Sequence, residues 1–182
     1  MPRLNALDPN QVTGTQKELF DAVQQKLGTV PNLLRTMGNS PAVLESYLNF
    51  SGALGSASLS AADRERIALA VGEANGCDYC LAAHTMIGKS VGLDDDSVLE
   101  SRQGRSEDPR TDAILAFSNE LVEKRGWASD ASLDRLREVG LGDAEIAEVV
   151  ATVALNTFTN YFNHVAGTEV DFPAAAPLPA TS

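Results

Sequence analysis

Residues 60–92 read SAADRERIALAVGEANGCDYCLAAHTMIGKSVG, and the fold turns on this stretch. Ser60 stands where a helix N-cap belongs, with Asp63 at N3, and Ile67, Ala70, Val71 and Ala74 recur at helical spacing along one stripe. Asn75-Gly76 interrupts that pattern. Helical character resumes from Cys77 to Val91 and stops at Gly92, a residue suited to the position just past a helix end.

The same signals recur on both sides. From Thr15, TQKELFDAVQQKLG places Thr15 and Glu18 in capping-box register, spaces Leu19, Val23 and Leu27 four apart, and stops at Gly28. Pro31 opens a short segment ending near Gly38, and Ser40-Pro41 supplies an N-cap and an N1 proline before AVLESYLNFSGAL. The acidic run Asp94, Asp95, Asp96 lies at the next helix start, where negative charge is favourable without any metal. After the loop-like SRQGRSEDP of residues 101–109, helical patterns cover Thr111 to Arg125 and Ser132 to Val139. A long final one begins after Asp143, keeps Ile146, Val149, Val150, Val153, Ala154 and Tyr161 in register, and closes at Gly167. No segment sustains a period of two, and no internal repeat stands out. The expected fold class is therefore all-α: one compact domain of seven or eight helices over residues 1–182, with DFPAAAPLPATS (171–182) as an extended or frayed tail.

Composition narrows the function. Fourteen Lys and Arg against 25 Asp and Glu leave a formal charge of −11, which excludes a basic nucleic-acid binder. Apolar content of 43% and charged content of 21% are those of ordinary globular chains, not of disordered, collagen-like or coiled-coil ones. The longest apolar runs, Ile67 to Val71 and Val149 to Leu155, fall far short of the ~18 residues of a membrane helix. The start, MPRLNALDPN, carries no apolar signal region, so a cytoplasmic location is expected. Two Cys cannot make a multi-disulfide scaffold, and in a reducing compartment a Cys-x-x-Cys pair is more often catalytic, redox-active or metal-binding than structural.

The segment GEANGCDYCLAAH holds Glu73, Cys77, Cys80 and His84. On an unbroken helix at 100° per residue, all four would share an arc of roughly 60°. Covalent haem attachment needs His directly after the second Cys, where Leu81 stands. A zinc site needs its ligands at one point, yet Cys77 and His84 are roughly 10 Å of helix rise apart, and His164 is the only other His. No metal or organic cofactor is expected. A redox dithiol fits better: two Cys at a helix start lie within bridging reach, the free N–H groups favour a thiolate at Cys77, and His84 sits one turn beyond Cys80 to accept or return a proton.

At these residues the chain resembles the carboxymuconolactone decarboxylase superfamily, specifically its AhpD-like alkylhydroperoxidase branch. The likeness runs from VPNLLRTMGNSPAVLESYLNF through DRERIALAVGEANGCDYCLAAHTMIGKSVGL to LNTFTNYFNHVAGTEVDFP. It implies an all-helical fold, a homo-oligomer, and thiol-dependent reduction of hydroperoxides with a Glu and a His in a proton relay. Carried over by position, the paired Cys fall on Cys77 and Cys80, the relay His on His84, and the relay Glu on Glu65, twelve residues before the first Cys. Glu65 would lie about 18 Å from Cys77 on an unbroken helix, so that role requires the chain to fold back at Asn75-Gly76. Glu73 competes for it, being on the Cys face if the helix continues. Tyr79 replaces the His that the best-known alkylhydroperoxidases place between the Cys, removing one proton carrier.

The resemblance implies that Cys80 attacks a hydroperoxide, Cys77 then closes a disulfide, and a thioredoxin-like or dihydrolipoyl reductant resets the pair. The helix-start argument points instead to Cys77 as the more acidic thiol; the assignment adopted is Cys80. The alternatives are a lactone decarboxylase-type lyase and a non-enzymatic thiol-disulfide redox sensor. Phe158, Tyr161 and Phe162 are expected to pack a core or a subunit interface.

Overall fold

Asn75-Gly76-Cys77 ends one helix and begins the next. In the computed structural model, which describes residues 1–178, α4 (Ala61–Ala74) closes in a Schellman motif: Gly76 donates to Glu73 O at 3.0 Å, and Cys77 donates to Gly72 O at 2.9 Å. Gly76 takes φ 64°, where a side chain would be strained. Cys77 is at the same time the N-cap of α5 (Asp78–Ser90). Two antiparallel helices result, so residues far apart along α4 and α5 come to face each other.

Around this hairpin stand α1 (Gly14–Leu27), α2 (Asn32–Met37), α3 (Pro41–Gly55), α6 (Asp95–Arg102), α7 (Pro109–Glu123), α8 (Asp130–Glu138) and α9 (Asp143–Ala166). The described residues hold nine helices and no strand, one or two helices more than the periodicity suggests, because the short segment after Pro31 forms a helix of its own. Helix α4 is central, packed on α5, α6, α7 and α9. Its residues 67–72 are all buried, whereas Ala74 is exposed, so the expected single stripe is replaced by a stretch buried on every side. Full burial of each of Ile67, Leu69 and Val71 contributes about 1.5–3 kcal/mol.

Most caps fall where the sequence places them. Ser60 Oγ accepts from Asp63 N at 3.0 Å, Asp94 caps α6 by accepting from Ser97 N, and Gly28 and Gly167 end α1 and α9 in the left-handed region. Thr15 is a correction: α1 begins two residues earlier, with Thr13 at the N-cap and no side-chain cap.

Two large apolar cores flank the hairpin, beside a small cluster of Leu69, Leu93 and Val98. One joins Ile67, Val71, Ile114, Phe117, Leu136 and Val149; the other joins Phe20, Val23, Leu33, Leu34, Met37 and Leu44 to Cys77, Tyr79 and Cys80, with Phe162 against it. Phe158 and Tyr161 remain 40% and 58% exposed, outside either core. Residues 171–178 form no helix but are tied to the body: Asp171 accepts from Asn32 N at 2.8 Å, Phe172 packs edge-on against Tyr79, and Ala176 O accepts from Arg102. The rest of the expected tail, residues 179–182, lies outside the described residues. No helix among the described residues is long and apolar enough to cross a membrane.

Candidate active site

The hairpin brings four of the five candidate residues together. Cys77 and Cys80 are free thiols, 1% and 2% exposed, with their sulfurs 2.7 Å apart. As N-cap, Cys77 Sγ accepts from Cys80 N at 3.4 Å, which keeps the first turn of α5 closed around the pair. One turn along, His84 Nδ1 meets Glu65 Oε2 of α4 at 2.7 Å, the contact that the fold-back was required to make. Among the described residues, no three His, Cys, Asp or Glu side chains converge on a point that could hold a metal ion.

Glu73 is elsewhere. Because α4 stops at Ala74, the face Glu73 shares with the Cys on an unbroken helix no longer exists; its Oε2 accepts from Arg102 Nε at 2.7 Å. The Arg102 side chain is 8% exposed and also donates to Ala176 O, so Glu73 neutralises a buried guanidinium. Removing one partner of a buried pair is costly, less so here because Glu73 is partly exposed. Glu73→Gln is therefore expected to lower the unfolding free energy by about 2 kcal/mol in urea denaturation, with the chemistry of the thiols unchanged.

The two sulfurs differ in setting. Cys80 lines a cavity of about 190 Å³ together with Tyr47, Glu65, Tyr79 and His84 and with apolar walls from Leu33, Leu34, Leu54, Ile87, Leu155 and Phe172, whereas Cys77 lies behind it. The Cys80 thiol is brought down, first by the hydrogen bond from Cys77 and then, against burial, by the positive charge of His84 and the amide of Asn163. Donating that hydrogen bond, together with burial, pushes Cys77 up. The helix start favours Cys77 as the more acidic thiol, whereas the hydrogen bond that Cys77 donates and the charge of His84 favour Cys80. Burial pulls His84 down, but the Glu65 carboxylate and its hydrogen bond, with Cys80 adding, leave it raised overall. Tyr47 is pushed up to about 12 by burial and by the charges of Cys80 and Glu65, so it is a neutral phenol.

Tyr79 lies between the two Cys in sequence. Its hydroxyl accepts from Leu33 N at 3.1 Å, near the start of α2, and burial raises it. Tyr79→Phe is expected to lower the unfolding free energy by about 1 kcal/mol, the worth of one hydrogen bond. Urea denaturation checks this, and the pH dependence of Cys80 alkylation is expected to stay as it is.

Several residues here carried no sequence expectation: Tyr47, Arg64, Asn160, Asn163 and Phe172. Arg64 lines the cavity while donating to Leu59 O. The signal for the asparagines was present in LNTFTNYFNH, where Asn156, Asn160 and Asn163 recur at i, i+4 and i+7 on the buried face of α9. His164, at the end of that helix, contacts Gly76 O at 3.3 Å.

The model of the Carboxymuconolactone decarboxylase family matches residues 41–123, a stretch that starts with α3, ends with α7 and includes Glu65, Cys77, Cys80 and His84. No curated protein matches the chain at a significant level. Among solved structures, an uncharacterized peroxidase-related protein from Ralstonia eutropha JMP134, described as an alkylhydroperoxidase AhpD core, is similar with a TM-score of 0.84 at 23% identity, over 93% of this chain and 92% of that one. An uncharacterized peroxidase-related protein from Silicibacter sp. TM1040 is similar with a TM-score of 0.79 at 24% identity, over 93% and 94%. The debrominase Bmp8, in a complex with 2,3,4-tribromopyrrole, is similar with a TM-score of 0.80 at 18% identity, over 94% and 92%. At these identities the likeness is one of fold.

Proposed function

From the match of residues 41–123 to the model of the carboxymuconolactone decarboxylase family, and from the dithiol that segment carries, we propose that the protein is a thiol-dependent peroxidase acting on hydroperoxides. The observation that carries this reading is the asymmetry of the pair: Cys80 faces the cavity, with the Cys77 sulfur 2.7 Å behind it. The Cys80 thiolate attacks the distal oxygen of ROOH; an S–O bond forms, the O–O bond breaks, and the alkoxide takes a proton from His84 to leave as ROH. Glu65 holds His84 protonated for that step. Cys77 then attacks the sulfenic sulfur of Cys80: the S–S bond forms, the S–O bond breaks, and hydroxide leaves as water with the proton of the Cys77 thiol. A thioredoxin-like or dihydrolipoyl dithiol returns both thiols by exchange.

The test is mass spectrometry of the purified protein before and after one equivalent of hydroperoxide, followed by turnover with a dithiol reductant. Loss of two hydrogens confined to the Cys77–Cys80 peptide, with repeated cycles, supports the proposal. The same loss without cycling identifies a redox sensor. Arg64 in the cavity wall favours a second reading, a lyase acting on a small lactone acid whose carboxylate the guanidinium would hold. Alkylation of both thiols separates the two, since lyase activity would survive it.

A further inference from the structure

The side of the thiols away from the cavity is made by amides. Asn163, 4% exposed, places Nδ2 3.3 Å from Cys80 Sγ and 3.9 Å from Cys77 Sγ, one donor group shared by both sulfurs. Asn160, fully buried, has its Oδ1 occupied by Asn75 Nδ2 at 2.9 Å, which fixes the amide so that its Nδ2 is a free donor. That Nδ2 and Asn163 Oδ1 are both buried without a partner. A buried helix face that keeps two amides, each with an unpaired atom, gives up stability at that position unless the amides serve a purpose. Neither asparagine lines the cavity, so the thiolate is held from behind while its cavity side stays open to substrate.

We infer that Asn163 is a further catalytic residue: with Asn160 behind it, its amide holds the Cys80 sulfur as a thiolate and keeps the two sulfurs together for disulfide closure. The inference rests on the dithiol reading of the site. The charged and titratable groups around Cys80 are Tyr47 from α3, Glu65 and, in the same cavity wall, Arg64 from α4, and Cys77, Tyr79 and His84 at or in α5; α9 contributes the uncharged amides. Asn163 is thus the donor that can be removed without altering the charge of the site.

The experiment is the pH dependence of Cys80 alkylation by iodoacetamide in the full chain, read peptide by peptide by mass spectrometry for wild type and Asn163→Leu. A hydrogen bond to an ionised group is worth about tenfold or more in its ionisation, so the Cys80 midpoint is expected to rise by about one pH unit or more. The pH profile of peroxide consumption is expected to shift upward by the same amount, with activity recovering at higher pH. A midpoint unmoved from wild type in the folded variant overturns the inference, whatever happens to the melting temperature. Should Asn163→Leu fail to fold, Asn163→Ala is read by the same criterion. Alkylation requires no peroxide, so the role of Asn163 is tested even in a protein without peroxidase activity, and an active protein with an unmoved midpoint refutes Asn163 alone.

Discussion

Cys80→Ser is expected to abolish peroxide consumption, by roughly 10³-fold or more, because the attacking atom is lost and the other sulfur cannot replace it. Cys77 lies behind Cys80, away from the cavity, and keeps its proton because it is buried and donates to its neighbour. A retained turnover in Cys80→Ser would transfer the attack to Cys77 and remove the main support for the mechanism. Cys77→Ser is expected to behave differently: one equivalent of hydroperoxide should be consumed, the sulfenic acid of Cys80 should survive long enough for dimedone to trap it, and cycling should stop because no thiol closes the disulfide. The measurements are a peroxide assay with a dithiol reductant and mass spectrometry of the trapped peptide.

Glu65→Gln is expected to lower the rate by roughly 10²–10³-fold, within the range typical of a lost general acid or base. Glu65 raises His84, and a protonated His84 lowers the Cys80 thiol and, in the proposed cycle, returns a proton to the leaving alkoxide. The amide keeps the size and a hydrogen bond but not the charge, so the pH profile moves: Cys80 ionises at higher pH and His84 loses its proton at lower pH. The stability effect has a defined sign. A histidine raised in the folded state contributes stability below its ordinary value of 6.5, and that contribution disappears as pH rises through the folded value. The cost of Glu65→Gln is therefore expected to be largest just below pH 6.5 and to shrink toward alkaline pH, measured by urea denaturation across that range. A rate unchanged in Glu65→Gln but lowered by the same substitution at Glu73 would return the relay role to Glu73.

The two glutamates show where reading the chain alone stops. Helical spacing placed Glu73 on the Cys face and Glu65 far from it, and both statements hold for a continuous helix. The break at Asn75-Gly76 reverses the outcome: Gly76 adopts a positive φ, α5 runs back along α4, and the carboxylate twelve residues away reaches His84 while the nearer one pairs with Arg102. The pattern located the break but not the direction of the chain beyond it, which depends on which face of α5 buries Leu81, Ala82 and Ala83.

What the chain determined by itself was local. Helix spacing, caps and Gly stops follow from backbone geometry within a turn or two, and so does the pairing of two sulfurs three residues apart at a helix start. What only the tertiary structure decided was which charges and dipoles surround the two sulfurs and which of the two faces the cavity. Ionisation in a buried site depends on every dipole and charge within a few ångströms, and here those come from Tyr47 on α3, Glu65 on α4 and Asn160 and Asn163 on α9, residues separated from Cys80 by 15 to 83 positions that meet it only once the helices have packed.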